Sequence, residues 1–346
     1  MREQSKNPSK KKDEEIGDEF QMMIINAKEM LKIADENEMI NGIEEAFHLF
    51  AKGDFVMPER ITVQNKEDNM LYMPCLTDEI IGTKILAQFP DNPSRGKPLI
   101  DGVMLLNDGK DGSPKALMSG RVLTGIRTGA VGGHAIKHLS RPGSKSLGIV
   151  GCGVQGFYQA KYACAVRNIK EIHLLDYRNK DLSDFIRRLK EEIKDESIQY
   201  TVAKNSTELV KNSEIIVTAT SSKTPVLPDD ARLLKGKCIV AIGSWRPDMR
   251  EIPDAIWDVA DAVYTELPFA CEESGDLLQP LESGRIDLSR VRFMADFLIQ
   301  KEQGEDRELG ETRYYKSVGM SLFDLVIAGK LYESALKKGL GTTIEW

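Results

Sequence analysis

Cysteine is scarce in this chain: Cys75, Cys152, Cys164, Cys238 and Cys271 are five in 346 residues, with no C-x-x-C pair. An odd number at wide spacing excludes a disulfide framework and a zinc knuckle, and it points to a reducing cytoplasm. Long apolar runs are also missing. No stretch reaches the roughly 18–20 residues of a membrane span, and the opening MREQSKNPSKKKDEEIGDEF lacks the apolar core of a secretory signal. Nor is there an excess of positive charge, since 47 Lys and Arg against 54 Asp and Glu give −7. Nucleic acid is therefore not an expected partner, and Lys10-Lys11-Lys12 is too short and too balanced by nearby acids to be a binding patch. What is present, a 41% hydrophobic content with 28 Gly and 14 Pro, describes a globular chain long enough for two domains.

Residues 1–20 are charged and polar throughout and read as a solvated tail. From Met39 to Gly53, Ile40, Ile43, Phe47 and Phe50 recur at helical spacing, with the glycine as a stop. Arg60–Val63, Met70–Pro74, Thr83–Phe89 and Val103–Leu106 read as strands between Pro-, Gly- and Asp-rich turns. From Ser119, SGRVLTGIRTGAVGGHAIKHL reads as a helix whose glycines admit another backbone. After Arg141-Pro142-Gly143 come short apolar strands, SLGIV, EIHLLD, IQYTVA, EIIVTAT, CIVAIG and DAVYTEL, with helical stretches between the earlier ones. Such alternation predicts a doubly wound parallel sheet beside an α+β region.

Gly151-x-Gly153-x-x-Gly156 follows SLGIV and opens a helix. The first glycine permits the tight turn, the second lets a pyrophosphate approach the backbone, and the third lets helix pack on strand. The helix N-terminus offers free N–H groups to phosphate. Asp176 ends the next strand, twenty residues past Gly156, where the Rossmann-type fold places a carboxylate on the adenosine ribose. That carboxylate repels a 2′-phosphate, so NAD is expected. Arg178, two residues on, leaves NADP open, and Tyr177 between them joins the candidate cofactor contacts.

The stretch around Lys84, GRVLTGIRTGA, IVGCGVQG, EIIVTAT, AIGSWRPDMREI and YYKSVG stand in that order between about Phe47 and Gly341. Together they resemble the ornithine cyclodeaminase/μ-crystallin family. The resemblance implies a Rossmann domain, here 125–324, flanked by a discontinuous substrate-binding and dimerisation domain, here 21–124 with 325–346. It further implies a homodimer and chemistry at the α-carbon of amino or imino acids. By motif, Arg60 in MPERITV, Lys84 in GTKIL and Arg127 in GIRTG match the family's carboxylate-binding and catalytic cations. Arginine forks suit a small carboxylate, and a lysine buried among arginines has a lowered pKa usable for proton transfer. Thr128, Val154 and Gln155 match phosphate-holding positions. Thr218, Ala219, Thr220 and Ser221 fall near the adenine side, Ser317 and Val318 match the segment approaching the nicotinamide, and Gly243 and Arg127 join the cofactor set.

Two departures from the family separate its reactions. Its cyclodeaminases carry an aspartate in the loop matching Gly243–Pro247, where this chain has Trp245, and an acid where it has Leu71. Asp248 and Glu272 are the candidates to replace them. Reduction of an imine needs no water-activating carboxylate, so the expected activity is an NAD(P)-dependent oxidoreductase, such as a ketimine or pyrroline-2-carboxylate reductase or an amino-acid dehydrogenase. Ornithine cyclodeaminase is the alternative within the family, and a non-catalytic nucleotide binder the alternative outside it. His134 and His138, four apart on a helix, have zinc-like spacing, but no third ligand is evident and no metal is expected. Cys152 reads as a small filler, and CEESGD as a solvated helix start.

Overall fold

The computed structural model describes residues 21–305 and 309–345; the expected tail at 1–20 lies outside the described residues. Helix Glu36–Lys52 starts at Asp35, whose side chain accepts from the Glu38 N–H, and stops at Gly53 in the left-handed conformation (φ 75°). Its inner face is the apolar stripe expected from sequence, begun one turn earlier. Helix Gly120–Leu139 is capped by Ser119. At Gly120 the expected close backbone approach is there, a Cβ lying 2.9 Å from the Val103 backbone nitrogen, whereas glycines further along accommodate side chains. A Cβ at Gly125 would lie 2.3 Å from the Tyr158 ring, and one at Gly132 would lie 1.7 Å from Gln159.

Two sheets organise the chain. A seven-stranded sheet runs Thr342–Glu345, Gln21–Ile25, Pro114–Ser119, Ile100–Asp108, Ile80–Gln88, Asp68–Leu76 and Ile61–Asn65. All its pairs are antiparallel except Gln21–Ile25 with Pro114–Ser119. The second has eight parallel strands, in the order Val291–Phe293, Ala260–Thr265, Thr312–Lys316, Cys238–Ala241, Ile215–Thr218, Ser146–Val150, Glu171–Leu175 and Gln199–Val202. The six strands expected for this sheet are there. Thr312–Lys316 and Val291–Phe293 are additional, and so are the paired end strands Gln21–Ile25 and Thr342–Glu345 of the first sheet.

Helix Gly120–Leu139 packs on strands of both sheets, and helix Ser321–Lys338 packs on the first sheet and on helices 36–52 and 120–139. The boundaries expected at 124/125 and 324/325 fall inside these two helices, so one hydrophobic core runs from sheet to sheet. Among the described residues no helix is long and apolar enough to cross a membrane.

Candidate active site

Alternation along strand Ile80–Gln88 turns Gly82, Lys84 and Leu86 inward. Lys84 therefore holds a core position, paired across the sheet with Met73 and Met104, and is wholly buried. An ammonium there needs a partner. Asp324, on helix Ser321–Lys338, accepts from Lys84 Nζ at 2.5 Å through Oδ2 and from Arg127 Nε at 3.1 Å through Oδ1. One buried carboxylate thus orients two cations. Burial pushes Lys84 down to about 7, with Asp324 opposing and Arg127 and Arg60 assisting.

Arg60, just before the outer strand, donates from Nε and Nη2 to Glu273 at 3.0 and 3.1 Å. Its Nη2 also reaches the carbonyls of Val318 and Gly319 at 3.3 and 3.2 Å. Nη1 takes part in none of these bonds, leaving donors for a substrate carboxylate. Gly319 has φ +74°, and a Cβ there would lie 2.2 Å from Arg127 Nη1. Only glycine lets this turn approach the guanidinium. Glu266 fixes the same turn, accepting from the Ser317 hydroxyl and from the Val318 and Gly319 N–H groups.

The three cations and the Ser317–Gly319 turn line a cleft of about 260 Å³. Its charged lining is Arg60, Lys84 and Arg127, and its apolar lining includes Leu71, Met73, Leu86, Ile100, Trp245 and Met249. Among the described residues, no Asp or Glu lines it. Neither expected replacement acid reaches the cleft. Asp248 is half exposed and pairs with Lys223 and Arg246 at 2.8 and 3.3 Å, and Glu272 is exposed. The acid that turns inward from the short helix Ala270–Glu273 is Glu273, which stands against Arg60 outside the lining.

A second cleft, about 580 Å³, opens at the carboxyl ends of the parallel strands and includes Gly151, Gly153, Asp176, Tyr177 and Arg178. Ala219, Thr220 and Ser221 border both clefts. They lie where strand order reverses between Ser146–Val150 and Ile215–Thr218, the usual place for a dinucleotide. The residues fit NAD. Gly151 has φ +98°, and a Cβ on Gly156 would lie 2.1 Å from the Gly151 carbonyl, whereas one on Gly153 meets nothing within 4 Å. Gly153 caps helix Val154–Val166 without a side-chain bond, so the first N–H groups are left for phosphate.

Asp176 accepts the N–H groups of Cys152, Arg178 and Asn179 at 2.9, 2.8 and 2.9 Å. Against the desolvation that would raise it, these donors hold its carboxyl below the usual range. A fixed, ionised carboxylate accepts ribose hydroxyls and opposes a 2′-phosphate, at a like-charge cost of several kcal/mol. Steady-state kinetics should accordingly show kcat/KM for NADH at least about tenfold above that for NADPH, the equivalent of ~1.4 kcal/mol. Parity would show that Arg178 governs the choice.

Val154, exposed, begins the phosphate-facing helix. The Thr128 hydroxyl and Gln155 Oε1 line the smaller cleft and have no hydrogen-bond partner among the described residues. Tyr177 donates its hydroxyl to the Val226 carbonyl at 3.0 Å on the flank of the larger one. Gly243 lines the smaller cleft. Thr218, like Val154 and Gly156, is absent from the lining of both clefts. It is fully buried at the last strand position. Cys152 is the filler expected: burial pushes its thiol up to about 12.

Sequence reasoning missed the buried carboxylates that position the site. Glu251 accepts from the backbone N–H and hydroxyl of Thr220 and from the N–H groups of Gly243 and Ser244, pinning two loops together. Asp276 accepts the N–H groups of Glu251 and Ile252 and faces Lys316 at 3.3 Å. The stretch expected as a solvated helix start therefore has Asp276 and Glu273 inside. For Asp324 a signal existed, an acid within the apolar helical run SLFDLVIAG.

The ornithine cyclodeaminase/mu-crystallin family profile matches residues 21–339. A delta(1)-pyrroline-2-carboxylate reductase of Bacillus cereus is 34% identical over 330 residues, covering 94% of this chain and all of that one. Among solved structures, the Thermococcus litoralis delta(1)-pyrroline-2-carboxylate reductase in complex with NADH and L-proline has a TM-score of 0.84 at 29% identity, covering 93% of this chain and 100% of that chain. An archaeal alanine dehydrogenase dimer with bound NAD has a TM-score of 0.83 at 28% identity, covering 94% and 99%. Glycine loop, buried lysine and full-length similarity agree: the chain belongs to the ornithine cyclodeaminase/mu-crystallin family.

Proposed function

We propose that this chain is an NAD-dependent oxidoreductase that reduces cyclic α-imino acids, with pyrroline-2-carboxylate as the preferred class of substrate, to α-amino acids. The observation that carries this reading is a cleft with three cations, an apolar wall and no carboxylate among its described lining residues. When bound, NADH supplies the hydride that reaches the imine carbon. Arg60 and Arg127 hold the substrate carboxylate bidentately, each anchored by its own acid, Glu273 or Asp324. Lys84 donates a proton to the imine nitrogen, and Asp324 keeps its Nζ in place. Leu71, Met73, Leu86 and Trp245 exclude water that would otherwise hydrolyse the imine.

In the reverse direction, neutral Lys84 takes the proton back from an amino acid. A non-catalytic binder has no use for a lysine buried and biased toward neutrality. Two relatives named as pyrroline-2-carboxylate reductases, one of them solved with NADH and L-proline, support the substrate class. The test is the purified chain with pyrroline-2-carboxylate and NADH, followed by NADH absorbance and proline assay. Turnover within about 1–10³ s⁻¹ is expected; proline formation no faster than without protein would overturn the reading.

The active form is a homodimer. Ile61 and Val63 lie on one face of the outer strand Ile61–Asn65, each 55% exposed, and an exposed apolar edge calls for cover. One of the similar structures is a dimer. The substrate and dimerisation unit is the seven-stranded sheet with its helices, and the cofactor unit is the eight-stranded one. Five unpaired cysteines fit residence in a reducing cytoplasm.

A further inference from the structure

The two histidines dismissed for want of a third ligand acquire one in three dimensions. His134 and His138 lie one turn apart on helix Gly120–Leu139, and Glu44 reaches them from helix Glu36–Lys52. The His134 and His138 Nε2 atoms stand 4.0 and 3.5 Å from Glu44 Oε2. The ligand atoms of all three residues lie within 4.8 Å of one another. We propose that Glu44, His134 and His138 form a binding site for one divalent transition-metal ion of the zinc class.

The chemistry favours an ion over simple packing. His134 is completely buried, and none of the four ring nitrogens of the pair has a hydrogen-bond partner among the described residues. A buried imidazole without partners is unfavourable, and a metal would satisfy one nitrogen on each ring. Two nitrogens and a carboxylate oxygen are a zinc-type donor set. Bond lengths near 2.0–2.2 Å put tetrahedral ligand atoms about 3.3–3.5 Å apart, so from separations of up to 4.8 Å the cluster must contract by up to about 1.5 Å, within side-chain adjustment. The rings of Phe47 and Phe297 lie beside the pair, with centroids 5.2 Å from His134 and 6.5 Å from His138, and surround it with apolar atoms. Glu44 keeps 28% of its side chain exposed and gives an ion its way in.

One cation already competes. Lys137 Nζ donates to Glu44 Oε2 at 2.8 Å, but its side chain is 38% exposed and free to turn to solvent. His48, one turn past Glu44, is engaged by Glu302 at 3.1 Å. An ion here would tie helix 36–52 to the helix that carries Arg127 and Thr128 two turns away, so its role is a clamp beneath the active site.

The experiment titrates ZnCl2 into chelator-treated, full-length protein by calorimetry and thermal unfolding, with CoCl2 absorption reporting coordination geometry. Expected is one ion per chain with Kd below about 10 μM and a rise in Tm of a few degrees at saturation. Glu44→Gln and His138→Gln should each weaken binding at least about tenfold, while Lys137→Gln strengthens it. NADH oxidation measured without metal shows that each variant is folded. Absence of binding at about 100 μM overturns the site. So does binding that all three substitutions leave unchanged, which would place the ion elsewhere.

Discussion

Lys84→Met should lower kcat for imine reduction by at least about 100-fold, the scale of a lost acid–base group, while NADH affinity changes little. Methionine keeps most of the aliphatic stem and suits a position already flanked across the sheet by Met73 and Met104. The ammonium and its bond to Asp324 are what disappear. The pH dependence carries the same signature with a definite sign. Burial lowers Lys84 to about 7, so the proton donor is present below that pH. Reductive kcat/KM should be level on the acid side and fall about tenfold per unit above pH 7. Oxidation of the amino acid needs the neutral amine and should rise through the same pH. In Lys84→Met the limb near pH 7 vanishes. A variant keeping more than about a tenth of wild-type kcat, or an unchanged pH profile, removes Lys84 from the chemistry.

L-Ornithine should release ammonia at least about 100-fold more slowly than pyrroline-2-carboxylate is reduced, because a cyclodeaminase needs a positioned general base. Trp245 has an N–H donor and no basic atom, and Leu71 has neither. Both line the cleft. The structure also takes away the two acids that sequence proximity offered as substitutes. Asp248 is held at the surface by Lys223 and Arg246, and Glu272 is exposed. Glu273 is raised to about 7 by burial, with Arg60 opposing, yet it is committed to that arginine. A distal ammonium brought by ornithine would thus meet an apolar wall without a counter-charge. Ammonia and proline formed in equal amounts, with no net change in NADH, would transfer the protein to the cyclodeaminases.

Local rules carried the sequence reading a long way. The glycine loop, the helix it opens and Asp176 were legible because a strand, a tight turn and a helix start are specified within a few residues. The helix ending at Gly53 was legible for the same reason, through its periodicity and stop. Lys84 was found by motif alone, since a lone lysine in GTKIL is more simply a surface cation, and the inward face of its strand is set by the fold. The missing family acids could also be read directly, since Trp245 and Leu71 are substitutions along the chain.

Only the tertiary structure could decide what long-range pairing brings together. Asp324 lies 240 residues from Lys84, and a single acid in a helix carries no sign of which cation it will meet. Glu251, Glu266 and Glu273 become site residues only when parallel strands align the loops at their carboxyl ends. The strand Thr312–Lys316 was not expected because a segment of five residues, buried on both faces apart from Arg313, has no period to detect. That Thr218 is buried while Ala219, Thr220 and Ser221 border the clefts depends on where the strand ends, which the sequence run EIIVTAT does not mark. Glu44 joined His134 and His138 through the crossing of two helices. Sequence thus determined what each element is and which chemical groups it carries, because those depend on neighbours in the chain. The partners of each buried charge depended on packing between distant elements, and the desolvation that gives those charges their reactivity exists only in the folded core.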